Sequence, residues 1–267
     1  MGPIVTITSD YGLRDPYVGM LKGQILRHCP DANIVDISNT VSPCDILEAA
    51  FILAGAAPYF PAGTLHIVAV DPHGMDREIL AAQFQGQLYI FPDNGVITMI
   101  KEILPLEAIV AVDPKKFLPR EVLERVHGRD ILAPLAGAIL KNIGLTRLGH
   151  KPHAFKLLDL PKPVPMPNEL VGTVIYIDSF GNMISNIPNT LLMERWPGAK
   201  NLNVACNGKA VDALTYNYAT KNPGETMAII NPMGLLEVAV VTGRACDTFG
   251  AKTGSEIRVS FGKFLDA

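Results

Sequence analysis

Charge of one sign is scarce in this chain: 23 Lys and Arg stand against 26 Asp and Glu over 267 residues, a formal net charge of −3. That excludes the basic surface selected by a nucleic-acid backbone or an anionic membrane, and neither partner is expected. Cysteine is equally sparse. The four present (Cys29, Cys44, Cys206, Cys246) form no CxxC pair and have no histidine at metal-ligand spacing, so they read as structural thiols in a reducing, cytoplasmic setting with no metal site. No apolar run has membrane length, since the longest, Ala49 to Phe60, is broken by Pro58. The N-terminus lacks a basic segment and reaches Asp10 early, so no signal peptide is expected. Also missing are a GxGxxG after the first strand, a Walker A sequence, a GxSxG elbow and HExxH. His127-Gly-Arg-Asp130 shares letters with the kinase catalytic loop, but the other kinase parts are absent.

What is present is a rather apolar chain, 48% hydrophobic and 18% charged, with 21 Pro and 23 Gly marking many tight turns; it can bury a large core in two domains. Ile4–Thr8, Asn33–Ser38 and Ile67–Val70 read as buried strands, because consecutive β-branched and apolar residues without polar alternation suit strands covered on both faces. Helices are predicted between them. Asp15-Pro16 supplies an N-cap and a first-turn proline ahead of Val18, Leu21 and Ile25 on one face. Ser42 to Asp45 opens a second helix over Ile46–Ala57. This alternation predicts an α/β N-terminal domain built on a doubly wound parallel sheet. Ile79–Phe84 and Gln87–Phe91 read as strands joined at Gln85-Gly86, Ala108–Val112 as a further strand, and Ile131–Lys141 as a helix that must tolerate Pro134. Prolines 152, 161, 163, 165 and 167 mark a stiff connector, giving domains at 1–155 and 169–267 with a linker at 156–168. The second half, with short strands over Leu170–Ile177, Thr226–Ile230, Leu235–Val241 and Glu256–Phe261, predicts a small C-terminal β-barrel.

Several polar residues fall where strands end. Asp10, Asp71 and Asn94 follow strands, and His127 precedes a helix, whose dipole keeps the imidazole neutral. On a parallel sheet these ends share one edge, where ligands bind. Taken singly, each is more often a cap or turn former than a ligand; their joint placement makes a site. In the second domain Tyr176-Ile-Asp-Ser-Phe-Gly-Asn182 places a carboxylate, an aromatic face and an amide around a glycine turn, groups that a nucleoside pocket uses. A simple hairpin turn remains the alternative there, as it does at Asn231-Pro-Met-Gly234 with Glu237.

Six ordered motifs then carry a resemblance over nearly the whole chain. Ile7-Thr-Ser-Asp-Tyr-Gly12 with Tyr17-Val-Gly19 and Lys22-Gly23, Val68-Ala-Val-Asp-Pro72, Pro92-Asp-Asn-Gly95, His127-Gly-Arg-Asp130, Asp178-Ser-Phe-Gly-Asn182 and Gly234-Leu-Leu-Glu-Val-Ala-Val240 closely resemble the S-adenosyl-L-methionine (SAM) hydroxide adenosyltransferases, relatives of the fluorinase and chlorinase. The resemblance implies hydrolysis of SAM to adenosine and L-methionine by water or hydroxide at the ribose C5′, with no separate cofactor. It also implies a homotrimer whose sites lie between subunits. An Asp–Arg–His triad maps to Asp71, Arg77 and His127. By the same resemblance Asp10 takes the ribose hydroxyls, Phe180 and Asn182 contact the adenine with Glu237 and Val240 on that side, and Asp178, Asp15 and Tyr17 hold the methionine ammonium.

The chain departs from its relatives at two places. Where the family reads Asp-Pro-Gly-Val-Gly-Thr-x-Arg, this chain has Asp71-Pro-His-Gly-Met-Asp-Arg77, one residue shorter and with His73 and Asp76 added. Pro232 stands where relatives carry serine, losing a hydroxyl and an N–H. Two other functions are compatible with these motifs. One is a SAM-dependent halogenase, disfavoured because the Asp71 carboxylate would repel a halide. The other is a catalytically decayed adenosine- or SAM-binding module, for which the shortened turn would be the cause.

Overall fold

A computed structural model describes residues 2–71, 78–116, 118, 128–141 (backbone only at 128 and 129), 143–199, 202–212, 214 and 221–261. The chain forms two compact units, Met1–Leu158 and Asp159–Ala267.

In the first unit the elements run β1 (Ile4–Ser9), α1 (Tyr17–His28), β2 (Asn33–Ser38), α2 (Ile46–Ala56), β3 (Leu65–Ala69), β4 (Ile79–Phe84), β5 (Gln87–Pro92), α3 (Thr98–Ile103), β6 (Leu106–Val112), α4 (Gly128–Leu140) and β7 (Gly149–His150). The sheet order is β2-β1-β3-β5-β4-β6-β7. β1 pairs in parallel with β2 and β3, and β3 with β5. The sheet is mixed beyond that point, with β4 lying antiparallel between β5 and β6. The cause is local. Gln85 and Gly86 both have positive φ, 45° and 72°, the backbone of a tight hairpin turn, and a two-residue connection joins only antiparallel neighbours.

Both faces of this sheet are covered, which explains the unbroken apolar strands. Ile67 and Ala69 of β3 pack with Leu21 and Ile25 of α1 and Leu132 and Leu135 of α4. Their neighbours Val68 and Val70 turn the other way, onto Ala50 and Leu53 of α2 and Ile100 of α3. Alternate residues thus enter two separate cores, the signature of a doubly wound sheet. α1 differs from expectation at its start: Pro16 is the N-cap residue, and no side chain caps the helix, so exposed Asp15 lies outside it. α2 is capped by Asp45, whose Oδ1 accepts from Glu48 N–H (2.9 Å), while Glu48 Oε2 reaches past the cap to accept from Ser42 N–H (3.0 Å).

The second unit contains β8 (Val164–Pro165), β9 (Glu169–Ile177), β10 (Met183–Pro188), β11 (Leu202–Cys206), β12 (Lys209–Val211), β13 (Thr226–Ile230), β14 (Leu235–Val240) and β15 (Glu256–Phe261). Their order is β12-β11-β15-β9-β10-β14-β13, with β8 added beside β9. The end strands β12 and β13 lie against each other, so the antiparallel sheet curls into a nearly closed barrel around Leu170, Met183, Val204, Leu236, Val238 and Ile257. Among the described residues no helix is long and apolar enough to cross a membrane.

Candidate functional site

β1 is flanked by β2 on one side and β3 on the other, while α1 and α2 cover opposite faces. The chain therefore changes direction between β1 and β3, the position at which open α/β sheets leave a crevice beyond their carboxyl ends. Asp10 directly follows β1, and Asp71 lies just past β3. They are joined: Asp71 N–H donates to Asp10 Oδ2 (3.1 Å). The same oxygen accepts the N–H of Cys44 (3.1 Å), at the approach to α2. Asp10 is thus the meeting point of three loops.

The backbone there is strained in a patterned way. Among the described residues, five that carry a Cβ adopt positive φ: Cys44 (61°), Asp71 (44°), Gln85 (45°), Asn207 (48°) and Thr242 (55°). Gln85 and Asn207 begin the turns Gln85-Gly86 and Asn207-Gly208 between paired strands, where such a φ is ordinary. Cys44 and Asp71 are the two residues whose N–H groups converge on Asp10. Left-handed backbone in non-glycine residues costs on the order of 1 kcal/mol or more each and persists where surroundings hold it.

Two neighbouring residues serve as braces. Asn39 Oδ1 accepts from Ser9 Oγ (2.7 Å). Asn94, buried, donates Nδ2 to Val70 carbonyl (3.0 Å) and accepts at Oδ1 from Val96 N–H (3.1 Å). Both ends of that amide are committed to backbone, so Asn94 ties the end of β3 to the loop after β5. Asp15 lies on the approach to α1 and Tyr17 opens the helix, both exposed, Tyr17 meeting Tyr11 edge-on at 6.1 Å. Arg77 and His127, and with them His73, fall outside the described residues.

The second unit carries its own cleft, about 470 Å³, lined by Phe180, Asn182, Val240, Val241, Thr242, Gly243 and Arg244. Phe180 is 74% exposed, a projecting aromatic on a turn fixed by both backbone and side-chain hydrogen bonds. Gly181 N–H donates to the Asp178 carbonyl (2.9 Å), Cys246 N–H to the Gly181 carbonyl (3.0 Å), and Arg244 Nη1 to the Ser179 carbonyl (3.0 Å). Asp178 grips Asn182 twice, accepting its backbone N–H at Oδ1 (2.8 Å) and its Nδ2 at Oδ2 (3.0 Å). Glu237 is not among the lining residues. Leu236 and Val238 enter the barrel core, and the strand's alternation turns Glu237 to the opposite face, where it is buried at 7% exposure. Val240, three positions on, belongs to the cleft. Arg244 and strained Thr242 were not anticipated; the Thr242-Gly243 turn closing β14 was the available signal.

Gly181 is required twice over. Its φ is +84°, and a Cβ there would lie 2.8 Å from Arg244 Cβ and 3.1 Å from Arg244 Cα. Gly181→Ala is expected to destabilise the protein by about 2 kcal/mol in chemical denaturation. Gly208→Ala, with φ +74° but nothing within 4 Å, should cost about half as much; equal losses would show that the Arg244 contact is irrelevant.

Sequence comparisons agree with this division. Residues 5–149 match the SAM hydroxide adenosyltransferase N-terminal domain and residues 172–258 the C-terminal domain. The (R)-S-adenosyl-L-methionine hydrolase of Salinispora tropica is 30% identical, covering 97% of this chain and 98% of that protein. A fluorinase from Nocardia brasiliensis is 26% identical over 97% of each. The crystal structure of an uncharacterized conserved protein from Thermotoga maritima superposes with a TM-score of 0.86 at 30% identity, covering 97% of this chain and all of that one. With both domains matched along nearly its full length, the chain belongs to the SAM hydroxide adenosyltransferase family.

Proposed function

We propose that the protein is a cytoplasmic, homotrimeric enzyme, needing no separate cofactor, that hydrolyses SAM to adenosine and L-methionine. The observation that carries this reading is the Asp10–Asp71 pair at the β1/β3 crevice, where one carboxylate directly holds the backbone of the other. A ribose with vicinal hydroxyls suits the first, and a water aimed at C5′ suits the second.

The chemistry asks little of the leaving group. A sulfonium departs as a neutral thioether, so no acid is needed at sulfur. A lone pair of the water oxygen forms the bond to C5′, the C5′–S bond breaks with its electron pair going to sulfur, and the water loses a proton to a base. The protein must orient that water in line with the C5′–S bond and remove its proton. We assign this to Asp71, Arg77 and His127. The guanidinium stabilises developing hydroxide, while the carboxylate and a neutral imidazole orient the water and receive its proton. Asp10 accepts from the ribose hydroxyls; its Oδ2 already takes two backbone N–H groups, which leaves Oδ1 as the principal acceptor. Phe180 and Asn182 receive the adenine, with Val240 lining the same cleft. Asp15 and Tyr17 remain assigned to the methionine end.

Turnover in ¹⁸O-labelled water tests the proposal. One label is expected at the 5′ oxygen of adenosine, with unlabelled methionine. Unlabelled adenosine, release of adenine, or a 5′-halo-adenosine in chloride or fluoride buffer would each reject it.

A further inference from the structure

The lock between Asp178 and Asn182 has a consequence for which base the cleft accepts. Both oxygens of the Asp178 carboxylate are acceptors. The Asn182 atom 3.0 Å from Oδ2 must therefore be the amide nitrogen, and the backbone N–H of Asn182 occupies Oδ1 at 2.8 Å. Turning the Asn182 amide over would set its oxygen against the carboxylate oxygen, two acceptors face to face. The amide is held in one orientation. Asn182 lines the cleft beside Phe180, and with one N–H committed it has Oδ1 and a second N–H left to offer.

We infer that Asp178 is a positioning residue that selects adenine by preventing the Asn182 amide from flipping. This rests on the reading of the cleft as a nucleoside site. A carboxamide with a free oxygen and one free N–H pairs in bidentate fashion with an exocyclic amine and an adjacent ring nitrogen, the edge adenine shows. Hypoxanthine has an oxygen in place of that amine. Against it Asn182 Oδ1 meets a second acceptor, and the flip that would relieve the conflict is blocked by Asp178. In this role Asp178 acts through Asn182.

Asp178→Asn is the informative change because it is isosteric and reverses the logic. Its oxygen can keep the Asn182 backbone N–H, while its new amide nitrogen replaces Oδ2 and needs an acceptor. That acceptor is Asn182 Oδ1, so the Asn182 amide turns over and presents its nitrogen to the base. Adenosine and inosine binding to the full-length protein would be measured by calorimetry. The parent protein is expected to bind adenosine at least about tenfold more tightly than inosine, and Asp178→Asn to lose or invert that preference. An unchanged adenosine-to-inosine ratio in the variant would overturn the inference while leaving the nucleoside site standing. So would a variant impaired only toward SAM, since adenosine lacks the ammonium. Equal binding of the two nucleosides by the parent protein overturns it without any variant, which covers the case where Asp178→Asn fails to fold. Failure of the parent to bind adenosine at all rejects the underlying reading as well.

Discussion

Replacing Asp10 by alanine is expected to abolish measurable SAM turnover and to weaken adenosine binding by at least about 100-fold. Hydrogen bonds from a charged group contribute about 1.5–3 kcal/mol each, and two ribose hydroxyls lost together come to about 3 kcal/mol or more, which is a factor of about 100. The internal damage adds to this. Asp10 Oδ2 holds the N–H groups of Cys44 and Asp71, both at positive φ. Without the carboxylate those two turns lose the acceptor that keeps them left-handed, and Asp71 is free to leave the orientation in which it would hold water. Asp10→Asn separates the two effects. An amide oxygen can still receive the backbone N–H groups, so Asp71 stays in place and the loss falls mainly on affinity. Asp10→Ala should lower both kcat and adenosine affinity, Asp10→Asn mostly the latter. Circular dichroism controls for folding. Adenosine affinity in Asp10→Ala within about threefold of the parent would remove Asp10 from the site.

The strand-end carboxylates were legible in sequence because their causes are local. An apolar run with no polar alternation, closed by an acid and then Pro or Gly, specifies a strand buried on both faces and its final residue; β3 splits its side chains between two cores as that pattern requires. The hairpin at Gln85-Gly86 was legible for the same reason, although its consequence, an antiparallel β4 inside the sheet, depends on which strand β4 meets next. Long-range geometry was not legible. Nothing in the letters Ser-Pro-Cys-Asp says that the Cys44 N–H turns back to Asp10, thirty-four residues earlier. Asn94 looked like a ligand because it follows a strand, but both ends of its amide are used by backbone. Glu237 and Val240 share a motif yet occupy opposite faces of β14, a distinction that strand periodicity does contain. Pro16 shows the limit of local rules: it fits the first turn, but without a capping side chain the helix starts one position later.

The second large effect lies far from any binding group. Lowering the pH from 6.5 to 4 is expected to remove about 3 kcal/mol of folding stability through one residue, His66. This side chain on β3 is fully buried, stacked on Tyr89 at 4.6 Å between ring centroids and met edge-on by Phe60 at 5.5 Å. Nδ1 lies 2.8 Å from Thr6 Oγ1, and Nε2 has no hydrogen-bond partner among the described residues. Its partners among the described residues carry no countercharge: Thr6 and Gln87 are neutral, and burial raises the Tyr89 phenol above its ordinary value, keeping it protonated. Burial pushes the imidazole down from 6.5 to about 4, with the Gln87 side chain pulling weakly the other way. The sign follows from proton counting. Between these values the unfolded chain binds a proton that the folded chain does not, so stability rises with pH across this window. The contribution is complete above pH 6.5 and is lost as pH falls toward 4. At 1.36 kcal/mol per unit, the drop from 6.5 to about 4 gives the figure of about 3 kcal/mol. Carboxylates titrate in the same range, so the measurement is a difference: urea unfolding of the parent and of His66→Leu at pH 7, 6, 5 and 4. The stability of the variant relative to the parent should improve by about 3 kcal/mol from the top of that range to the bottom, whatever its value at pH 7. Parallel pH profiles for the two proteins would mean that His66 takes up its proton in the folded state as readily as in the unfolded one, and that its burial carries no such penalty.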